Sequence, residues 1–139
     1  MRIFLFICLL LASCNSKEDK EKYNHQLYRA VNNKDTAVLD IHSNDKRFYG
    51  RYEITHYGTG KDSGDVRGDL RGDTLRGDYH YISFGGTWKR VPLALLKKDE
   101  KLFLGTGVIG TYFNLPCYVP EVPIDYKNPE FIFERIEKE

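Results

Sequence analysis

Cysteine is scarce in this sequence. Cys8 and Cys14 belong to the apolar N-terminal stretch and its boundary, so Cys117 stands alone in the body of the chain. That rules out a disulfide framework within one chain. It leaves Cys117 as a buried small hydrophobe, a free thiol or an intermolecular link, burial being the habit of unpaired cysteine. A charge excess is missing too. The 21 basic and 20 acidic residues give a formal net charge of +1, whereas a protein that tracks nucleic-acid phosphates needs a basic excess. No apolar run reaches the roughly 20 residues that a membrane-spanning helix requires. Chemical motifs are equally sparse. There is no Gly-x-Ser-x-Gly elbow, no glycine-rich phosphate loop followed by Lys-Ser or Lys-Thr, no His-x-x-x-His and no Cys-x-x-Cys. Those absences leave hydrolase, nucleotide-binding and structural-zinc readings without support, and no cofactor is expected.

The N-terminus carries the clearest positive pattern. Met1-Arg2 supplies a charged start, and Ile3 to Leu11 is unbroken apolar sequence. This fits the core of an export signal, too short to span a bilayer. Leu11-Ala12-Ser13-Cys14 then looks like a lipobox. Cleavage is expected between Ser13 and Cys14, with the Cys14 thiol accepting diacylglycerol and an acyl chain such as palmitate completing the anchor. Residues 1–13 are thus read as the signal and 14–25 as the lipidated cysteine with its tether. Losing the signal removes one Arg and no acid, which leaves the mature chain neutral. Asn15 to Lys22 is a polar, charge-rich run that cannot pack into a core. Within it, Lys17-Glu18-Asp19 is similar to the surface-export signal of Bacteroidota-type lipoproteins, a Lys followed by two acids. The resemblance implies a lipid-anchored protein of the outer membrane, carried to the cell surface.

Residues 26–139 form the expected domain. Ten Tyr and eight Phe point to sheet, since aromatic side chains fit pleated surfaces. Alternation marks Leu27–Val31, Thr36–His42, Phe48–Thr55, Asp65–Arg71, Thr74–Ser83, Trp88–Leu95, Lys101–Gly105 and Phe131–Ile136 as strands. A helix over 23–31 competes for the first of these, because Tyr23, Leu27, Ala30 and Val31 share a helical face. The stretch 57–64, with its three glycines, reads as a loop, and 106–129 as irregular. Thr74–Ser83 reads as the longest strand, and Pro92 suggests an edge or a bulge. Short connections imply an all-β antiparallel meander of about eight strands. It is expected to close, wholly or in part, into a small lipocalin-like barrel.

Lys34-Asp35-Thr36, Gly50-x-Tyr52, Gly64-x-x-x-Gly68, Gly72-Asp73-Thr74-Leu75 and Asp78-Tyr79-x-Tyr81-x-Ser83-x-Gly85 make a recurring pattern of turns leading into strands. In these residues the segment 34–86 resembles a group of small, mostly uncharacterised Bacteroidota-type lipoproteins. Many members carry an acid after the Ser, where this chain has Phe84. The resemblance implies a β-rich fold and the lipoprotein habit, and brings no activity with it.

Arg67-Gly68-Asp69, Arg71-Gly72-Asp73 and Arg76-Gly77-Asp78 repeat one tripeptide. A receptor would need it at a loop tip, and only the middle copy reads as a turn. The flanking copies are expected to carry cross-strand charge pairs. Asp62, Asp65, Asp69 and Asp73 match no calcium loop, and His25, His42, His56 and His80 are scattered, with His56 and His80 the pair that strands could bring together. No metal site is expected. Tyr49, Tyr52, Tyr79, Tyr81 and Trp88 are the candidate binding residues; Tyr49 is outward and favoured for contact, whereas Tyr52, Tyr79 and Tyr81 are inward and read first as core. The expected function is therefore a non-catalytic binding domain for a small ligand, a glycan or an envelope protein. A structural subunit of an outer-membrane complex is the alternative. A glycan hydrolase ranks lower, because no pair of acids is singled out.

Overall fold

A computed structural model describes residues 21–137. The signal, Ser13, Cys14 and Lys17-Glu18-Asp19 lie outside the described residues. Ten strands follow one another: β1 (Asn24–Asn32), β2 (Asp35–Ser43), β3 (Arg47–His56), β4 (Gly60–Arg71), β5 (Thr74–Ile82), β6 (Trp88–Lys98), β7 (Lys101–Leu104), β8 (Ile109–Tyr112), β9 (Leu115–Tyr118) and β10 (Ile132–Ile136). Eight of them close a barrel in the order β1-β10-β7-β6-β5-β4-β3-β2, while β8 and β9 form a separate hairpin. All neighbouring strands are antiparallel. The all-β meander anticipated from alternation is this barrel, fully closed.

The helical periodicity of residues 23–31 gives way to a ladder with β2, running from Asn24 opposite Ser43 to Asn32 opposite Asp35. Asn33, at φ 54°, makes the tight return that asparagine tolerates. Three sequence expectations are corrected. The glycine-rich loop shrinks to Tyr57–Thr59, and β4, with 12 residues, is longer than β5 with nine. Gly60 and Gly64 belong to the ladder, opposite His56 and Tyr52. A Cβ on Gly64 would lie 2.1 Å from the His80 carbonyl oxygen, so glycine here admits a close backbone rather than a turn. The irregular stretch contains β8 and β9, joined through Phe113 and Asn114 at φ 47° and 61°. Strands of four residues, one containing Pro116, give too little alternation to register. Pro92 sits in β6 where the ladder to β7, which starts at Leu95, has not begun. Its missing N–H therefore interrupts nothing on that side.

Register aligns the alternating residues into rows across the barrel. Ile41, Gly50, Val66, Tyr79 and Val91 form one inward row. Phe48, Leu39, Leu95, Leu102, Val66, Phe131 and Phe133 are fully buried inside. Each such side chain contributes on the order of 1.5–3 kcal/mol by leaving water. The interior is thus packed with side chains rather than hollow. Gly68 and Gly77 face each other in the ladder. A Cβ on Gly77 would stand 1.9 Å from the Arg67 carbonyl oxygen, so β4 and β5 close together only because neither carries one.

Two substitutions test this packing by urea unfolding. Gly77→Ala is expected to lose about 1–3 kcal/mol through overpacking. Gly72→Asn, at a turn with φ 61° and open space around it, is expected to stay within about 0.5 kcal/mol of the parent. Tyr52 offers the opposite sign. Its hydroxyl is buried without a hydrogen-bond partner, and burial pushes its pKa up, keeping the phenol neutral. Tyr52→Phe removes an unsatisfied polar atom and is expected to leave stability unchanged or raise it by about 1–2 kcal/mol.

Candidate binding groove on the barrel exterior

Aromatic side chains divide between the two faces of the sheet. Tyr52 and Tyr79 are each 3% exposed, with ring centroids 4.6 Å apart. The Tyr79 hydroxyl donates to the Tyr52 carbonyl at 2.9 Å. Tyr81 stacks on Tyr79 at 4.3 Å, and Phe133 meets Tyr52 edge-on. Tyr52 and Tyr79 are therefore core, as their inward setting implied, and are removed from the candidate binding residues. They fill the bore, and Tyr81 extends the same column toward the surface. Trp88 is exposed and lies tilted against His80, ring centroids 4.7 Å apart, at the end of the barrel where β6 begins. Of the five aromatic candidates, Tyr49 alone lines a groove that crosses the outer face of β3, β4 and β5.

That groove has a volume of about 580 Å³. Its floor is the exterior of β3, β4 and β5. One wall is Pro116-Cys117-Tyr118 of β9, pinned by the Tyr118 hydroxyl donating to the Pro92 carbonyl at 3.2 Å. The Arg76 guanidinium lies over the Tyr118 ring, 5.5 Å from its centroid. The opposite wall is Tyr23 set edge-on to Tyr49 at 5.1 Å. Cys117 is a half-buried free thiol on this surface.

The repeated tripeptide makes the floor. Two copies lie equidistant from the Gly72-Asp73 turn, so antiparallel pairing sets Arg67 opposite Asp78, Gly68 opposite Gly77, and Asp69 opposite Arg76. An Arg-Gly-Asp strand is complementary to itself when reversed, the glycines inward and the charges outward. The register sets opposite charges face to face as the sequence suggested, but among the described residues the expected Arg67–Asp78 and Arg76–Asp69 ion pairs do not form. The ion pairs on this side of the barrel, however, are Arg51 with Asp65 at 2.9 Å and Arg90 with Asp78 at 3.8 Å. Among the described residues, no carboxylate comes within 4.0 Å of the side-chain nitrogens of Arg47, Arg67, Arg71 or Arg76. All four line the groove, against Asp69 and Asp78. The floor is thus net positive, and Asp78 is already engaged by Arg90.

Sequence reading found Tyr49 and the tripeptide but not the wall residues Tyr23 and Tyr118, which come from distant segments. The symmetric placement of two tripeptides about a hairpin turn was the usable signal for the arginine floor. The acidic series does not converge: Asp62 is buried, while Asp65 and Asp69 face outward. His56 and His80 also part company. His80 pairs with Trp88, and His56 Nε2 donates to Asp62 at 2.9 Å. Asp62 accepts in addition from the Phe84 backbone N–H at 2.8 Å, and His56 Nδ1 lies 3.5 Å from Asp35. Both ring nitrogens of His56 thus face carboxylates. No protein-family model, no curated protein and no solved structure matches the chain.

The Asp62 hydrogen bond raises the His56 pKa above its ordinary 6.5, opposed by partial burial and reinforced by the Asp62 and Asp35 charges. The fold therefore favours the protonated ring. Its contribution is complete below about pH 6.5 and fades as pH rises through the folded pKa. In thermal melts, the stability gap between the parent and His56→Gln is expected to be wider at about pH 6 than at about pH 9. A gap that widens toward alkaline pH would reverse the assignment.

Proposed function

We propose that this chain is a lipid-anchored, non-catalytic binding domain of the outer membrane, exposed at the cell surface, whose exterior groove takes an anionic glycan. The observation that carries the reading is four arginines without carboxylate partners lying between tyrosine rings. Guanidinium forks recognise carboxylate, sulfate and phosphate in bidentate fashion, and they do so best where no internal acid competes. Tyr23, Tyr49 and Tyr118 add flat rings with polar edges, suited to stacking on sugar. The filled bore favours an external ligand over a small molecule carried inside the barrel. His56, the one histidine held between two carboxylates, has neither ring nitrogen turned to a hydroxyl or thiol nucleophile, in keeping with a binding rather than a catalytic role. The apolar N-terminal run and Leu11-Ala12-Ser13-Cys14 support the membrane anchor.

An envelope protein is the second reading, favoured by the β8–β9 hairpin. Its Ile109, Tyr112, Phe113 and Leu115 are all exposed, Phe113 to 82%. Binding to arrays of neutral, uronic-acid, sulfated and phosphorylated glycans separates the two. Retention of the charged glycans alone is expected, weakening as salt rises. Arg67→Gln and Arg76→Gln are each expected to reduce affinity about tenfold or more, the scale of one charge-assisted hydrogen bond, while melting temperatures hold. Glycan binding that ignores both substitutions would place the ligand elsewhere. A blank array with capture of an envelope protein through the hairpin would favour the second reading.

A further inference from the structure

Sequence spacing offers no ligand pair among the four histidines, but strand pairing supplies one. His25 of β1 stands directly opposite His42 of β2. Asp40 lies two residues before His42, so alternation turns it to the same outer face. His25 Nε2 lies 2.5 Å from Asp40 Oδ1, and His42 Nε2 lies 3.9 Å from that same oxygen. One nitrogen from each ring and one carboxylate oxygen fall within 4.8 Å of one another.

From this convergence we infer a binding site for a divalent transition-metal ion, held by His25 Nε2, His42 Nε2 and Asp40 Oδ1. Two imidazoles and one carboxylate suit borderline ions of the zinc and copper class and not the hard oxygen-seeking ions magnesium and calcium. Metal–ligand bonds of about 2.0–2.1 Å at a tetrahedral angle put neighbouring ligand atoms roughly 3.3–3.4 Å apart. The observed 2.5 and 3.9 Å separations straddle that value. Side-chain rotation alone can open the first and close the second, and neutral His25 in the tautomer with its proton on Nδ1 offers the Nε2 lone pair to the ion. Three protein ligands leave further positions to water or an exogenous ligand.

The rings are also held in place. His25 and His42 stack at 4.5 Å, 20° from parallel. The far face of His42 stacks on Tyr49 at 5.0 Å and 10°, and Tyr23 buttresses Tyr49 edge-on. Three stacked rings with a fourth set edge-on therefore orient two ligands before any ion arrives. The three side chains are 32–42% exposed, open enough for an ion to enter. The site adjoins the arginine groove through Tyr49 and Tyr23 but shares no ligand with it, and it stands whether or not a glycan binds there.

The full-length chain in detergent, purified without a histidine tag, provides the test. Zn²⁺ alone is titrated calorimetrically, and Cu²⁺ is used for electron paramagnetic resonance. One ion per chain is expected, with a spectrum showing two nitrogen donors. His25→Gln, His42→Gln and Asp40→Asn should each weaken Zn²⁺ binding roughly tenfold or more, while His80→Gln leaves it unchanged. Zn²⁺ should raise the melting temperature of the parent and not of His42→Gln, because the ion binds the folded site. All three substituted side chains are at the surface, so circular dichroism spectra like the parent's are expected and establish that the variants fold. Absence of binding at millimolar Zn²⁺ would overturn the inference. So would binding that survives the histidine substitutions, or a spectrum without two nitrogens.

Discussion

β10 closes the barrel, and every surface described above depends on that closure. It is five residues long and pairs three residues with β1 and three with β7. Without it both neighbours would present free ladder edges to other chains. It also carries Phe133 into the core, where the ring meets Tyr52 and lies near Phe131. The chain reaches β10 only after leaving β7, laying β8 and β9 along the exterior, and returning. Reciprocal hydrogen bonds between Thr106 and Asp125, both 2.8 Å, clasp the base of that excursion. The strand that seals the bore and the hairpin that walls the groove are thus products of one detour.

Once the bore is sealed and filled, the outer face is left to meet ligands. On β4 beyond Asp62 and on β5 the period-two alternation sends glycine, valine and tyrosine inward and arginine and aspartate outward. A strand that pairs with a reversed copy of its own tripeptide acquires charge complementarity without separate specification of each position. The complementarity is one of register and does not close into ion pairs: Arg90 engages Asp78, and four arginines face two aspartates across the groove. The surplus of guanidinium is what gives the groove its sign.

The barrel was largely legible in the sequence because alternation is local. β2, β3, β5 and β10 fall within a residue or two of where the side-chain pattern puts them, and the inward setting of Tyr52, Tyr79 and Tyr81 follows from the same count. Glycine misled in one place. The residues at 58, 60 and 64 read as a loop, yet only Gly58 serves the turn, while Gly60 and Gly64 admit neighbouring atoms inside a ladder. The distinction depends on what lies opposite, which a single strand does not reveal. The sites were less legible for the same reason. Tyr118 comes to the groove from an excursion, and His25 comes to His42 through register. Each is a long-range pairing that no spacing along the chain encodes.

Tyr23 walls the groove and follows Cys14 by nine residues. Nine peptide units reach at most ~30 Å, whatever path they take. With Cys14 acylated as proposed, the groove cannot drift into the medium. It samples a slab a few nanometres deep above the bilayer, so its occupancy follows the areal density of molecules rooted in that layer rather than their concentration in solution. A modest intrinsic affinity then suffices, because anchoring both partners to one surface replaces a search in three dimensions with one in two.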